Sequence, residues 1–234
     1  MEQLLKDGKY QDVGKVIKSK IDKFTQSNEY KRMADGEAYY KLKNTEIMKR
    51  TKRMRLMGQL VNDPWEANHK LPSGYMRTLV DQKVNFSINS KMKLKSDSVD
   101  IERIYTDLGR RFDTKLKAYA KEASKTGRAS FYPMIKDGKF DYKVLKSRQL
   151  IIEEDDGVIE YAISFDDSSA DIMTQNSITT FVKKDGEYVI EGQPRPNVLK
   201  KTVVNGAILS QEAGTWGKVP LTLTFNNDEH ETDL

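Results

Sequence analysis

Few residues of this sequence have types that could do chemistry: two histidines, two groups of carboxylates and one basic run. His69 and His230 stand far apart, without the close spacing of a metal site, and read as exposed side chains. Glu153-Glu154-Asp155-Asp156 and Asp166-Asp167 with Asp171 are the carboxylate groups. Such clusters can hold Mg²⁺ in nucleases and phosphatases. The first, however, runs into a hairpin turn and the second into a Ser/Asp-rich loop. Neither has a His, Cys or Lys at a recognisable spacing. Solvated turn charges are the simpler reading. The glycines form neither GxxxxGK[ST] nor GxGxxG. Cysteine is absent, which excludes disulfides, thiol catalysis and Cys-based zinc sites. The expectation is a protein with no catalytic residue, no metal and no cofactor, and therefore not an enzyme.

The basic run is Lys49-Arg50-Thr51-Lys52-Arg53-Met54-Arg55. Lys49, Arg50, Lys52, Arg53 and Arg55 are candidates for contact with DNA or with an acidic surface of another subunit. Met54, Leu56, Met57 and Leu60 lie within or beside the run, which favours a segment that packs against something. Aromatic residues are not interleaved with it, so stacking on single-stranded bases is disfavoured. The wider charge distribution frames the same choice. Residues 1–150 hold 34 Lys+Arg against 19 Asp+Glu, whereas residues 151–234 hold 6 against 16. A basic half followed by an acidic half suits nucleic-acid contact by the first. It equally suits pairing of the two halves, within a chain or between neighbours in a head-to-tail ring.

The elements that must position these groups change character halfway. Helices are predicted over 11–26, 28–43, from an N-cap at Ser73 to about Asn89, and from Ile101 to a C-cap at Thr126-Gly127. Asn44–Leu71 reads as linker, with Pro64 and Pro72 as breakers. The apolar stripes over 76–88, including Leu79, and over 101–123 are expected to face the core. Beyond residue 128, Asp137-Gly138, Asp156-Gly157, Asp185-Gly186 and Asn205-Gly206 punctuate β-rich runs, as in tight hairpins. The predicted class is α+β, with N-terminal helices (1–127, basic) followed by an antiparallel hairpin-rich β region (128–234, acidic). Hydrophobic residues make up 37% and mean hydropathy is −0.71, and no stretch approaches the roughly 18 apolar residues of a spanning helix. The N-terminus lacks a signal-peptide core, so synthesis in the cytoplasm is expected.

Several segments together resemble the portal proteins of tailed phages, of the siphophage type from Gram-positive hosts. Asn28-Glu29-Tyr30 through Tyr39-Tyr40 is similar to that family's early Tyr-Tyr helix. His69-Lys70-Leu71-Pro72 followed by Leu79-Val80-Asp81-Gln82-Lys83 is the most specific match. Gly127-Arg128-Ala129-Ser130 through Asp137-Gly138 resembles its Gly-X-Ala strand and hairpin. Gln149-Leu150-Ile151-Ile152 stands where the family has a Pro-containing segment. Gly217-Lys218-Val219-Pro220-Leu221, Phe225-Asn226-Asn227-Asp228-Glu229 and Thr232-Asp233-Leu234 match its last wing motifs. The resemblance implies a structural subunit of a dodecameric head–tail connector at one capsid vertex of a virion or prophage particle. Its implied partners are other copies of itself, capsid and scaffolding proteins, terminase, head-completion proteins and the double-stranded DNA that passes the channel, with no membrane. The match is portal wing-like throughout. A channel-lining stem helix, a clip and a crown would follow Leu234, which suggests a chain cut at a structural boundary. A DNA-binding accessory protein using residues 49–55 is the competing expectation.

Overall fold

The computed structural model describes residues 1–63, 65, 69–88, 95, 100–136, 139–196, 202–204, 207–210 and 218–226. Helices precede an antiparallel β region, so the chain has the expected α+β class. The helices are α1 (Glu2–Lys6), α2 (Tyr10–Gln26), α3 (Asn28–Tyr40), α4 (Thr45–Lys49), α5 (Tyr75–Ser87), α6 (Ile101–Leu108) and α7 (Phe112–Thr126). A two-stranded hairpin, β1 (Arg53–Leu56) and β2 (Gln59–Asn62), interrupts them between α4 and α5.

Three strands form one small sheet, in the order β13 (Thr222–Phe225), β3 (Arg128–Lys136), β4 (Lys139–Leu145). A six-stranded antiparallel sheet follows from β5 (Leu150–Asp155), β6 (Val158–Phe165), β7 (Ser169–Thr174), β8 (Ser177–Lys184), β9 (Glu187–Ile190) and β10 (Arg195–Pro196). Strands β5 to β8 meander. Strands β9 and β10 both pair with β8, at its two ends, and β5 is the terminal strand on the other side. Strands β11 (Thr202–Val204) and β12 (Ala207–Ser210) make a separate hairpin.

The period-2 alternation of the large sheet sends alternate residues to two cores. Ile151, Tyr161, Ile163, Ile172 and Phe181 face α2, which contributes Val13, Ile17 and Ile21 at helical spacing. Leu150, Ala162 and Met173 face the other way, onto Leu145, Val219 and Leu221. Gly14 lets α2 approach the sheet. Any Cβ at this position would collide with the backbone carbonyl oxygen of Tyr188 in β9. A third cluster packs Met76, Val80 and Val84 of α5 against Tyr39, Tyr40 and Ala120.

Local chemistry explains most of the boundaries. Ser27 closes α2 and caps α3, accepting a bond from the Tyr30 amide at 3.1 Å. Gly127, at φ 86°, ends α7 in the left-handed C-cap that the sequence predicts. Asp156-Gly157 and Asp185-Gly186 each have positive φ at both residues, the requirement of a two-residue type I′ hairpin.

Four sequence readings need correction. The stripe from Ile101 to Ala123 is two helices, because Gly109 takes φ 74° and stops α6 although the apolar period runs on in phase. Helix α5 has Gly74 as its N-cap, and Ser73 instead accepts a weaker 3.3 Å bond from the Tyr75 amide. The Ser/Asp-rich loop is in part strand β7, where Ala170 and Ile172 enter the core and Asp171 accepts from the Thr180 hydroxyl at 2.6 Å. The supposed linker 44–71 contains α4 and the β1–β2 hairpin. The Asp137-Gly138 and Asn205-Gly206 turns, Pro64, His230 and residues 227–234 lie outside the described residues.

Candidate interaction surface

The five basic candidates run from the end of α4 into the β1–β2 hairpin. Lys49 ends α4, Arg50 is its C-cap, Lys52 leads into the hairpin, and Arg53 and Arg55 lie on β1; all five are exposed. The pairs Arg53↔Asn62, Met54↔Val61, Arg55↔Leu60 and Leu56↔Gln59 set the register. Alternation then divides the hairpin: Arg53 and Arg55 point to one face, Met54 and Leu56 to the other. Met57 (φ 48°) and Gly58 (φ 83°) make the turn, another type I′ pair. Met57 is 98% exposed and Leu60 64%. Among the described residues no other element makes sustained contact with this hairpin.

Helix α5 also carries exposed apolar side chains. Tyr75, Leu79 and Phe86 lie on its outer side, Phe86 at 92% exposure. Leu79 therefore does not face the core as its stripe predicts. The inward face is carried by Met76, Val80 and Val84 alone.

The residues that carry the family resemblance meet elsewhere, around α3, α5 and α7. Asp81 accepts from Lys121 Nζ at 2.7 Å and from the Tyr40 hydroxyl at 2.9 Å, with Arg77 nearby at 3.9 Å. The Lys121 bond, with help from Tyr40 and against a smaller cost of burial, holds the Asp81 carboxyl below the ordinary carboxylate range. Lys83 Nζ donates to Asn226 Oδ1 at 3.0 Å, and the Asn226 amide donates to the Gly127 carbonyl at 2.8 Å. The buried Glu122 accepts from Lys125 Nζ at 2.8 Å and from the Ser147 amide at 3.1 Å. Tyr119 stacks on Phe131 with ring centroids 4.0 Å apart and planes within 8°.

Charged side chains also tie the helices to the sheets. Lys20 reaches Glu153 at 2.6 Å, joining the basic and acidic halves. Arg128 contacts Glu29 at 2.9 Å and donates to the Leu150 carbonyl at 3.0 Å. Burial depresses its guanidinium, with Glu29 opposing. Arg148 bonds Glu37 at 3.1 Å and the Tyr30 hydroxyl at 3.0 Å. These contacts are scaffolding.

The acidic candidates do not assemble into a metal site. Among the described residues no group of three or more His, Asp or Glu is placed to hold an ion. Asp166 instead accepts from the Ser168 and Ser169 amides at 2.8 and 2.7 Å, and these bonds lower its pKa. Glu154, Asp155 and Asp156 sit at the exposed end of the β5–β6 hairpin. His69 is exposed. No described helix is long and apolar enough to cross a membrane. Sequence reasoning found the basic residues but missed the hairpin that presents them. Its available signal was Gly58 between two short runs of alternating residues.

The chain that builds the α3–α5–α7 junction matches a known family. A profile described as "Phage portal protein, SPP1 Gp6-like" aligns with residues 19–234. The chain belongs to this family of phage portal proteins. The curated portal protein of Bacillus phage SPP1 is 24% identical to it, over 92% of this chain and 44% of its own length. The chain thus spans less than half the length of that relative.

Proposed function

We propose that this chain is the wing of a portal ring subunit, with a mechanical and scaffolding role and no bond-making chemistry. Twelve copies would form the ring at one capsid vertex, dock terminase during packaging, pass double-stranded DNA and later receive head-completion proteins. Stem, clip and crown would lie in the part of the relative that this chain does not span. Capsid and scaffolding proteins would meet the wing, and the particle would assemble in the bacterial cytoplasm. The observation that carries this reading is the family match over residues 19–234. The division of charge supports it. Arg128–Glu29, Arg148–Glu37, Lys121–Asp81 and Lys115–Asp141 all lie within residues 1–150, and Lys20–Glu153 is the salt bridge among the described residues that draws on the acidity of residues 151–234. A ring of head-to-tail contacts would bring that acidity against a neighbour's basic surface.

Native mass spectrometry over a range of protein concentration and salt tests the reading. Closed assemblies of one fixed number are expected. They should weaken as salt rises, since exposed charge pairs are screened over about 8–10 Å. Open assemblies of no fixed number would overturn the ring, and salt-insensitive assembly would overturn its electrostatic basis.

A further inference from the structure

The hairpin poses a physical problem within its own chain. A lone two-stranded hairpin in water is marginal without a third strand or a packed face. This one has an apolar face at the half-buried Met54 and the exposed Leu56, an open Leu60 and a methionine tip, yet no described element makes sustained contact with it. Leu56, Met57 and Leu60, close together on this one hairpin, are among the large hydrophobics exposed in the described residues. Clustering of this kind marks an interface, whereas scattered single side chains do not. Met57 is also a poor choice for the left-handed backbone it adopts, where Asn, Asp or Gly is at ease. Its side chain is held outward at a conformational cost.

A complementary surface exists on the same molecule. Strand β5 is terminal in the large sheet, and its hairpin with β6 ends in the exposed Glu154, Asp155 and Asp156. Val158, 63% exposed, adds an apolar contact beside these carboxylates. Among the described residues neither Arg53 and Arg55 nor Glu154, Asp155 and Asp156 have a partner in the chain. Charge and apolar area therefore match between two different patches of one chain. Such a pair makes a heterologous contact, the kind that builds rings or filaments, and not a two-fold dimer.

We propose that the β1–β2 hairpin is a subunit arm whose basic residues and apolar tip seat on the acidic β5–β6 turn of a second copy of this chain. The arm gives the ring reading a specific contact and rests on it. Electrostatics brings the two surfaces together, and Leu56, Met57 and Val158 exclude water at the centre of the contact.

The absence of cysteine makes the test clean. Met57→Cys combined with Asp156→Cys in one chain, under mild oxidation, should give a ladder of dimers, trimers and larger species on a denaturing gel. The two single variants mixed should give dimers only. Met57→Cys alone should stay monomeric; a dimer from it would mean that tip meets tip and would overturn the arm. No ladder from the double variant would also overturn it. So would an equal ladder from Met57→Cys with Asp185→Cys, at the analogous β8–β9 turn. Arg53→Glu with Arg55→Glu in that double-cysteine chain should reduce the ladder at least tenfold, and adding Glu154→Lys with Asp155→Lys should restore it. Loss of duplex-DNA binding in the Glu variants, with self-association unchanged, would assign the hairpin to DNA and sink the proposal. Circular dichroism of each variant verifies folding. Fixed-number assemblies without the cross-link would leave the ring standing and remove the arm. A cross-linked ladder from assemblies of no fixed number would do the reverse.

Discussion

The β1–β2 hairpin lies in the chain between α3 and α5, two elements of the α3–α5–α7 junction, and the physics of hairpin and junction is opposite. At the junction, Asp81, Lys121, Tyr40, Lys83 and Asn226 are linked by bonds of 2.7 to 3.0 Å around the buried Val80 and Val84. In the hairpin, arginines and large apolar side chains stand in water with no described partner. Tyr40, Asp81, Lys83 and Asn226, which are among the residues that carry the resemblance to portal proteins, hold the junction together.

Mutations can break that contrast, in order of expected effect. Glu122→Ala should cost about 3 kcal/mol, because it strands the Lys125 ammonium and the Ser147 amide at a buried site. A thermal melt within a degree or two of the parent would show that the junction is not the stable region. Val80→Ala removes two methyl-sized groups from a site 1% exposed and should cost about 2 kcal/mol by urea unfolding.

Asp81→Asn should cost about 1 kcal/mol at neutral pH, with a characteristic pH dependence. Its folded pKa is depressed, so its contribution is full above the ordinary carboxylate range near pH 4 and is lost as pH falls through the folded value. Parent and variant stabilities should therefore converge in acid. A difference that persists there would assign the effect to packing. At the hairpin the sign reverses: Met57→Asn suits the type I′ turn and should stabilise by about 0.5 kcal/mol. Leu60→Ser should change monomer stability by less than about 0.5 kcal/mol, a value near zero being the mark of a side chain that waits for a partner.

The parts of the fold legible in the sequence were those where one residue type answers one backbone demand. Asp156-Gly157 and Asp185-Gly186 name their turns because few other pairs accept positive φ twice. Gly127 names its C-cap for the same reason. Met57-Gly58 forms the same turn without the usual first residue, so β1 and β2 looked like linker. Strand β7 was hidden by Ser169 and Asp171, whose side chains bond to Asp166 in the turn before it and to Thr180 of the neighbouring strand. Gly109 broke a helix whose apolar period gave no warning, since periodicity reports the face and not the continuity of the backbone. Leu79 was misplaced because α5 has two apolar faces, and sequence cannot tell which of them the rest of the chain covers. The charged candidates were visible by type, while the hairpin that aims them depends on pairing between strands.

Gly14 carries a consequence for how this protein can diverge. Most packing distances drift by small exchanges, one methylene gained here and lost there. Where α2 crosses β9 no side chain intervenes, and the helix rests against the Tyr188 carbonyl itself. Nothing smaller than hydrogen can be substituted, so every change at this position is an enlargement. The spacing of that layer is a fixed point from which related proteins can depart only by shifting the whole helix.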